Sequence, residues 1–156
     1  MTMMHRPAIL TRRTLLATGA CTVLISAVPA RAEDAPDAVK EAQQAMFGDR
    51  PVQDGRVSLK LPPIAENGYS VPLTVDVESP MTAADHVQRI AIFSPRNPVT
   101  TVAAFTLGPR TGRARVEPRI RLAGTQAVIA VAEMSDGTLW SGSKETVVTL
   151  AACVVL

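Results

Sequence analysis

From residue 57 onward the chain alternates between apolar and polar positions in short runs. Val57-Ser58-Leu59-Lys60-Leu61 alternates until Pro62-Pro63 stops it, and Glu66-Asn67-Gly68 marks a turn. Residues 70–78 place Val71, Leu73, Val75 and Val77 on one side, with Pro72 suited to an edge or a strand start. Further runs cover 86–94, 101–107, 114–122 (Pro118 marking a bulge or an edge) and 126–134. Ser135-Asp136-Gly137 is a tight-turn signal, Thr138-Leu139-Trp140 returns from it, and residues 146–150 close the set. Seven or eight short strands at regular spacing predict a mainly β fold, an antiparallel β-sandwich.

One segment carries a different period. Residues 34–48 read as a helix, with Asp34 or Asp37 as cap, Pro36 in the first turn and Gly48 as the stop. Val39, Ala42, Met46 and Phe47 form a thin stripe, so this helix is expected to lean on the β body.

The first 32 residues follow neither pattern. Arg6, Arg12 and Arg13 precede an uncharged apolar run, residues 15–28, and Ala30-Arg31-Ala32 is an A-x-A cleavage site. This is the layout of a secretory signal peptide, and the run is too short for an ordinary membrane span. Arg12-Arg13 directly before the apolar core resembles a twin-arginine export signal, which predicts a periplasmic product with no stable membrane insertion after cleavage. The chain thus divides into a signal peptide (1–32), a helical segment (33–50), a β domain (51–150) and a terminal arm (151–156).

Cleavage changes the charge. The whole chain has 16 Lys+Arg against 14 Asp+Glu, and the leader takes four arginines and no acid with it, leaving 12 against 14. A slightly acidic body with five aromatic residues and no basic run gives little to neutralise phosphates or stack bases, so nucleic acid is not the expected partner. Arg113, Arg115, Arg119 and Arg121 alternate along one predicted strand face, either as a solvated face or as an interface or a patch guiding an anion. The 108–113 stretch is glycine-bearing and basic, and a β-turn accounts for it. Tyr69, Phe93, Phe105 and Trp140 are expected in the core or at a partner interface.

Catalytic machinery is thin. The mature chain keeps one histidine, His86, and one cysteine, Cys153, because His5 and Cys21 fall in the leader. A thiol nucleophile needs a base built beside it, and His86 at a strand start suits a structural role better. One cysteine and one histidine make a poor intrachain metal site, so no metal and no cofactor is expected. A single cysteine excludes an intrachain disulfide, and an unpaired one in an oxidising compartment points to reactivity or an intermolecular link. Two readings of Cys153 remain. It extends the last strand as a small buried hydrophobe, sharing a face with Val147, Thr149, Ala151 and Val155. Alternatively, the tail leaves the body and carries a thiol into a partner's pocket.

A dispersed set of segments bears on that choice: 63–68 (PIAENG) with Val71-Pro72, 79–82 (SPMT), 90–92 (IAI), Asn97-Pro98, 105–109 (FTLGP), 119–123 (RIRLA) with Gln126, and 134–137 (MSDG) before Trp140. In these the chain resembles the SoxY family, sulfur-carrier subunits of the periplasmic thiosulfate-oxidising system. The resemblance implies an immunoglobulin-like sandwich with a short N-terminal helix and a SoxZ-like partner in a heterodimer. It also implies a swinging C-terminal arm bearing the carrier cysteine, here Cys153, and no catalytic residue of the carrier's own. Periplasmic redox or hydrolytic enzymes would process the bound group. The arm departs from the family's Gly-Gly-Cys-Gly-Gly: Ala151 and Ala152 precede the cysteine, and Val154 and Val155 follow it. Alanine and valine restrict a backbone that glycine leaves free, which predicts different partner enzymes or cargo. The ending resembles a SoxY-related group with an Ala-Ala-Cys arm. The alternative function is a periplasmic assembly module whose C-terminal strand adds to a partner's sheet.

Overall fold

The computed structural model describes residues 36–152, all within the compact unit Ala32–Leu156. The signal-peptide assignment and residues Cys153, Val154 and Val155 lie outside the described residues.

The helix α1 spans Pro36–Phe47 and ends at Gly48, whose N–H donates to the Gln44 carbonyl at 2.8 Å. Eleven strands follow: β1 Val52–Asp54, β2 Val57–Lys60, β3 Ile64–Ala65, β4 Val71–Pro72, β5 Thr74–Val77, β6 Val87–Phe93, β7 Thr101–Thr106, β8 Arg115–Val116, β9 Arg119–Ile120, β10 Gln126–Met134 and β11 Leu139–Val148. The large sheet has the order β1-β11-β10-β6-β7, with β3 also on β11; β2-β5-β8 and β4-β9 form two smaller sheets.

Two cores explain why the central strands read as nearly continuous apolar runs. Ile90, Ile92, Val128, Ala130, Ala132 and Met134 pack with Val57, Leu59, Val71, Val75, Val77 and Ile120 of the smaller sheets and with Leu73 and Leu122 of the adjoining segments. On the opposite face, Ala91, Phe93, Val131 and Leu139 pack under Val39 and Phe47 of α1. Strands covered on both faces lose the polar half of the alternation. Each fully buried Phe, Leu or Ile contributes about 1.5–3 kcal/mol. The helix stripe is the one its sequence predicts, with Ala42 and Met46 half-buried beside Val39 and Phe47. Its C-terminal end is tied to the sheet by Arg50, which donates to the Phe47 carbonyl at 2.8 Å and pairs with Glu133 at 2.7 Å.

The structure corrects the sequence expectation at several points. The fold is mainly β with a short N-terminal helix, but its pairing is not purely antiparallel: β1 and β3 both run parallel to β11. The run 70–78 is two strands, β4 and β5, belonging to different sheets, and Pro118 likewise splits 114–122 into β8 and β9. The two segments expected at 138–140 and 146–150 are one ten-residue strand, β11 (Leu139–Val148), running through the polar stretch 141–145. Pairing holds that stretch in place, with β10 opposite Ser141–Thr146 and β1 beside Leu139–Ser141. Gly142 lets β2 cross closely, since a Cβ there would sit 2.1 Å from the Val57 carbonyl oxygen. The 108–113 stretch is a turn, as expected, with a 3-10 segment at Pro109–Thr111.

Among the described residues no helix is long and apolar enough to cross a membrane.

Candidate functional site

The end of β11 is tied to the chain segment 62–68 residue by residue. Pro62 and Pro63 lack N–H groups and offer carbonyls, accepting from Thr146 Oγ1 at 2.7 Å and Val147 N at 3.0 Å. Next, β3 pairs alongside Val147 and Val148. Thr149 donates twice, from N to the Ala65 carbonyl (3.1 Å) and from Oγ1 to the Glu66 carbonyl (2.8 Å). The Asn67 side chain accepts from Tyr69 N at 2.8 Å, an Asx turn that swings Gly68 back toward the tail.

Gly68 then sits between two segments. Its N–H donates to the Leu150 carbonyl (2.8 Å), and its carbonyl accepts from Leu122 N (2.9 Å). The Leu122 carbonyl in turn accepts from Ala152 N at 3.0 Å. A Cβ on Gly68 would lie 2.4 Å from the Leu122 oxygen and 3.0 Å from both Ala152 N and the Leu150 oxygen. Only glycine fits so close an approach. The result is a backbone clamp on Ala152, and residue 153 follows it directly.

A buried polar cluster supports the Leu122 side of the clamp. Gln126 is 2% exposed. Its Oε1 accepts from Ser94 Oγ (2.8 Å) and Arg96 N (2.9 Å); its Nε2 donates to Asn97 Oδ1 (3.3 Å) and the Gly124 carbonyl (3.2 Å). Asn97 also accepts from Ala123 N and donates to the Arg121 carbonyl. The loop 121–126 is thereby held on both sides of Leu122. Thr125 Oγ1 accepts from Val148 N at 3.0 Å, a second tie to the tail.

The predicted site residues fare differently. Of the arm residues, Ala151 and Ala152 are half-buried, and the Ala152 N–H is hydrogen-bonded to the Leu122 carbonyl. The regular ladder stops at Val148, so among the described residues the strand does not continue toward Cys153. Around the clamp, Ile64, Tyr69, Val147 and Leu150 are exposed, and Ile64 is the register partner of Val147. Tyr69 therefore lies at the surface, whereas Phe93 is buried in the core under α1, and Phe105 and Trp140 pack partly against the other core, between the sheets.

His86 lies far from the clamp. Its N–H donates to Ser135 Oγ, and the neighbouring Val87 pairs with Met134 at the other end of β10 from Gln126. A nine-residue strand is about 27 Å long, so the length of β10 separates His86 from the Gln126 end that supports the clamp. The arginine stripe is broken as well. Arg113 pairs with Asp76 at 2.6 Å, Arg115 with Glu117 at 2.6 Å, and Arg119 donates to Ser70. Arg121 is exposed and lines a groove of about 470 Å³ together with Asn97, Val99, Val102, Arg119 and Ile120. No cluster of three or more His, Cys, Asp or Glu able to hold a metal occurs among the described residues.

Gly68, Leu122, Asn97 and Gln126 escaped sequence reasoning as site residues. All four fall in segments that carry the family resemblance, and that was their one signal. None bears reactive chemistry, and the clamp works through backbone atoms.

The family described as sulfur oxidation protein SoxY matches residues 43–153. Among solved structures, the sulfur carrier protein SoxY from Chlorobium limicola f thiosulfatophilum superposes with a TM-score of 0.63 at 34% identity, covering 73% of this chain and 98% of that one. A superoxide reductase (neelaredoxin) from Ignicoccus hospitalis gives a TM-score of 0.53 at 17% identity over 60% of this chain and 80% of that one. A superoxide reductase from Nanoarchaeum equitans gives 0.51 at 14% over 61% and 99%. At those identities the reductases share the fold alone. Comparison with curated sequences gives no match.

Proposed function

Because this chain belongs to the SoxY family of sulfur oxidation proteins, we propose that Cys153 is the atom-bearing residue of a periplasmic sulfur carrier. The chain is a SoxY-type sulfur carrier without turnover of its own. The observation that carries the assignment to Cys153 is the clamp: Ala152 is hydrogen-bonded to the body, and the next residue is the sole cysteine of the mature chain. The family match also extends to residue 153.

A carrier thiol needs a nucleophilic sulfur and access, while partner enzymes supply acid, base and redox chemistry. Joining a thiolate to an incoming sulfur anion through a new S–S bond removes two electrons, which a partner redox enzyme takes up. Release of an oxidised end group uses water at a hydrolytic partner. The Ala151-Ala152-Cys153-Val154-Val155 arm defines a SoxY-related variant, and its valines select enzymes or cargo different from those of a glycine arm. The two facing strand layers are read as an immunoglobulin-like sandwich with a helix added outside. A SoxZ-like subunit is its expected heterodimer partner. Supporting this, β7 is an edge strand whose Val102 and Ala103 face the groove beside exposed Val99. Export follows the Arg12-Arg13 signal.

The test is native-state thiol labelling of the exported protein beside a Cys153→Ser variant. The carrier reading expects fast labelling, mixed disulfides or a Cys153-linked dimer in the wild type, and none of these in the variant, with the fold unchanged. Slow labelling together with a loss of stability on substitution contradicts it.

A further inference from the structure

We propose that Gly68 is the positioning residue of the carrier thiol, fixing the root of the arm so that the Cys153 sulfur stays within a short radius of the clamp. The inference rests on the carrier reading and adds to it what sets the thiol's reach. Three backbone hydrogen bonds run in series from Leu150 through Gly68 and Leu122 to Ala152, at 2.8, 2.9 and 3.0 Å. The series exists because residue 68 has no side chain, since a Cβ would meet the Leu122 oxygen at 2.4 Å. Gly108 provides the contrast, with nothing within 4 Å of the corresponding position. Four backbone bonds and the Cα–Cβ and Cβ–Sγ bonds separate Ala152 N from the Cys153 sulfur, which caps their distance at about 8 Å whatever the conformation.

That cap decides how the sulfur is taken. An arm released from residue 149 onward would add three residues of reach, about 10 Å. With Ala152 held, an enzyme that engages the sulfur must bring its active-site mouth onto the body and close over exposed Ile64, Tyr69, Val147 and Leu150. A partner therefore reads arm and body together, and specificity extends beyond residues 151–155.

The experiment places a nitroxide spin label on Cys153 of the full chain carrying Cys21→Ser. It compares the parent with Gly68→Ala, Ala152→Pro and Gly108→Ala. Ala152→Pro removes the donor to Leu122 and leaves Gly68 in place, so it decides the matter if Gly68→Ala fails to fold. The expected result is a restricted label in the parent and in Gly108→Ala. Its rotational correlation time should fall at least threefold in Gly68→Ala and Ala152→Pro. A label equally mobile in all four chains overturns the proposal, as does lost thermal stability with an unchanged spectrum. The spectrum reports the tether whether or not the sulfur carries cargo. An unmodified thiol in the native protein would therefore count against the carrier reading and leave the clamp standing.

Discussion

Replacing Gln126 by leucine keeps the side-chain volume and removes four hydrogen bonds from the cluster that supports the clamp. The Ser94 hydroxyl, wholly buried, loses its acceptor. The Arg96 N–H and the Gly124 carbonyl lose partners in half-buried settings, where water can partly replace them. Asn97 Oδ1 keeps Ala123 N. An orphaned buried polar group costs about 1–3 kcal/mol, and the partly wet ones cost less, so the sum is about 3 kcal/mol. That is a large share of the roughly 5–15 kcal/mol that holds a domain together. Urea denaturation followed by tryptophan fluorescence of Trp140 measures it. A second variant sharpens the reasoning. Ser94→Ala should cost about 1 kcal/mol alone, yet recover about 1 kcal/mol in the Gln126→Leu background, where it deletes the stranded hydroxyl. A Gln126→Leu variant within about 0.5 kcal/mol of wild type, or a Ser94→Ala effect of the same sign in both backgrounds, would refute the account of this cluster.

Other outcomes follow from single sites. Gly142→Ala drives a Cβ to 2.1 Å from the Val57 carbonyl oxygen, so β2 and β11 must separate. The cost should be about 2–3 kcal/mol, read as a lower thermal midpoint. The Asp136 carboxylate accepts the Thr138 backbone N–H and then the Thr138 hydroxyl, which holds its pKa below the ordinary 3.8. A carboxylate depressed in the fold stabilises above its unfolded pKa, and that stability is lost as pH falls through the lower folded value. Carboxyl NMR titration should show the depressed value, and Asp136→Asn should remove that part of the acid dependence. Changing Arg12 and Arg13 to lysine should leave precursor in the cytoplasm, scored by fractionation and immunoblot, whereas unchanged export would sink the twin-arginine route.

The sequence revealed elements whose pattern is set locally. The Val57-Ser58-Leu59-Lys60 alternation of β2, the β10 run and the α1 stripe at Val39, Ala42, Met46 and Phe47 follow from period alone. It misled where pairing with distant strands overrides local preference. Ser141, Ser143, Lys144 and Glu145 carry no strand signal, yet they lie in the middle of β11 because β10 faces them. The two-residue strands β3 and β4 are too short to show any period, and the parallel pairing of β1 and β3 with β11 needs the third dimension. The same division applies to the site. Cys153 stands out by chemistry and position. Gly68 and Leu122 act through main-chain atoms, which no residue type announces.

The most direct test of the central claim is the intact mass of the exported protein isolated from its own compartment during active sulfur oxidation. The account predicts a population heavier than the bare chain by a sulfur-containing group. Peptide mapping should place that group on Cys153, reducing agent should release it, and Cys153→Ser should lack it. A single unmodified mass throughout turnover, with Cys153 protected from labelling, would contradict the account.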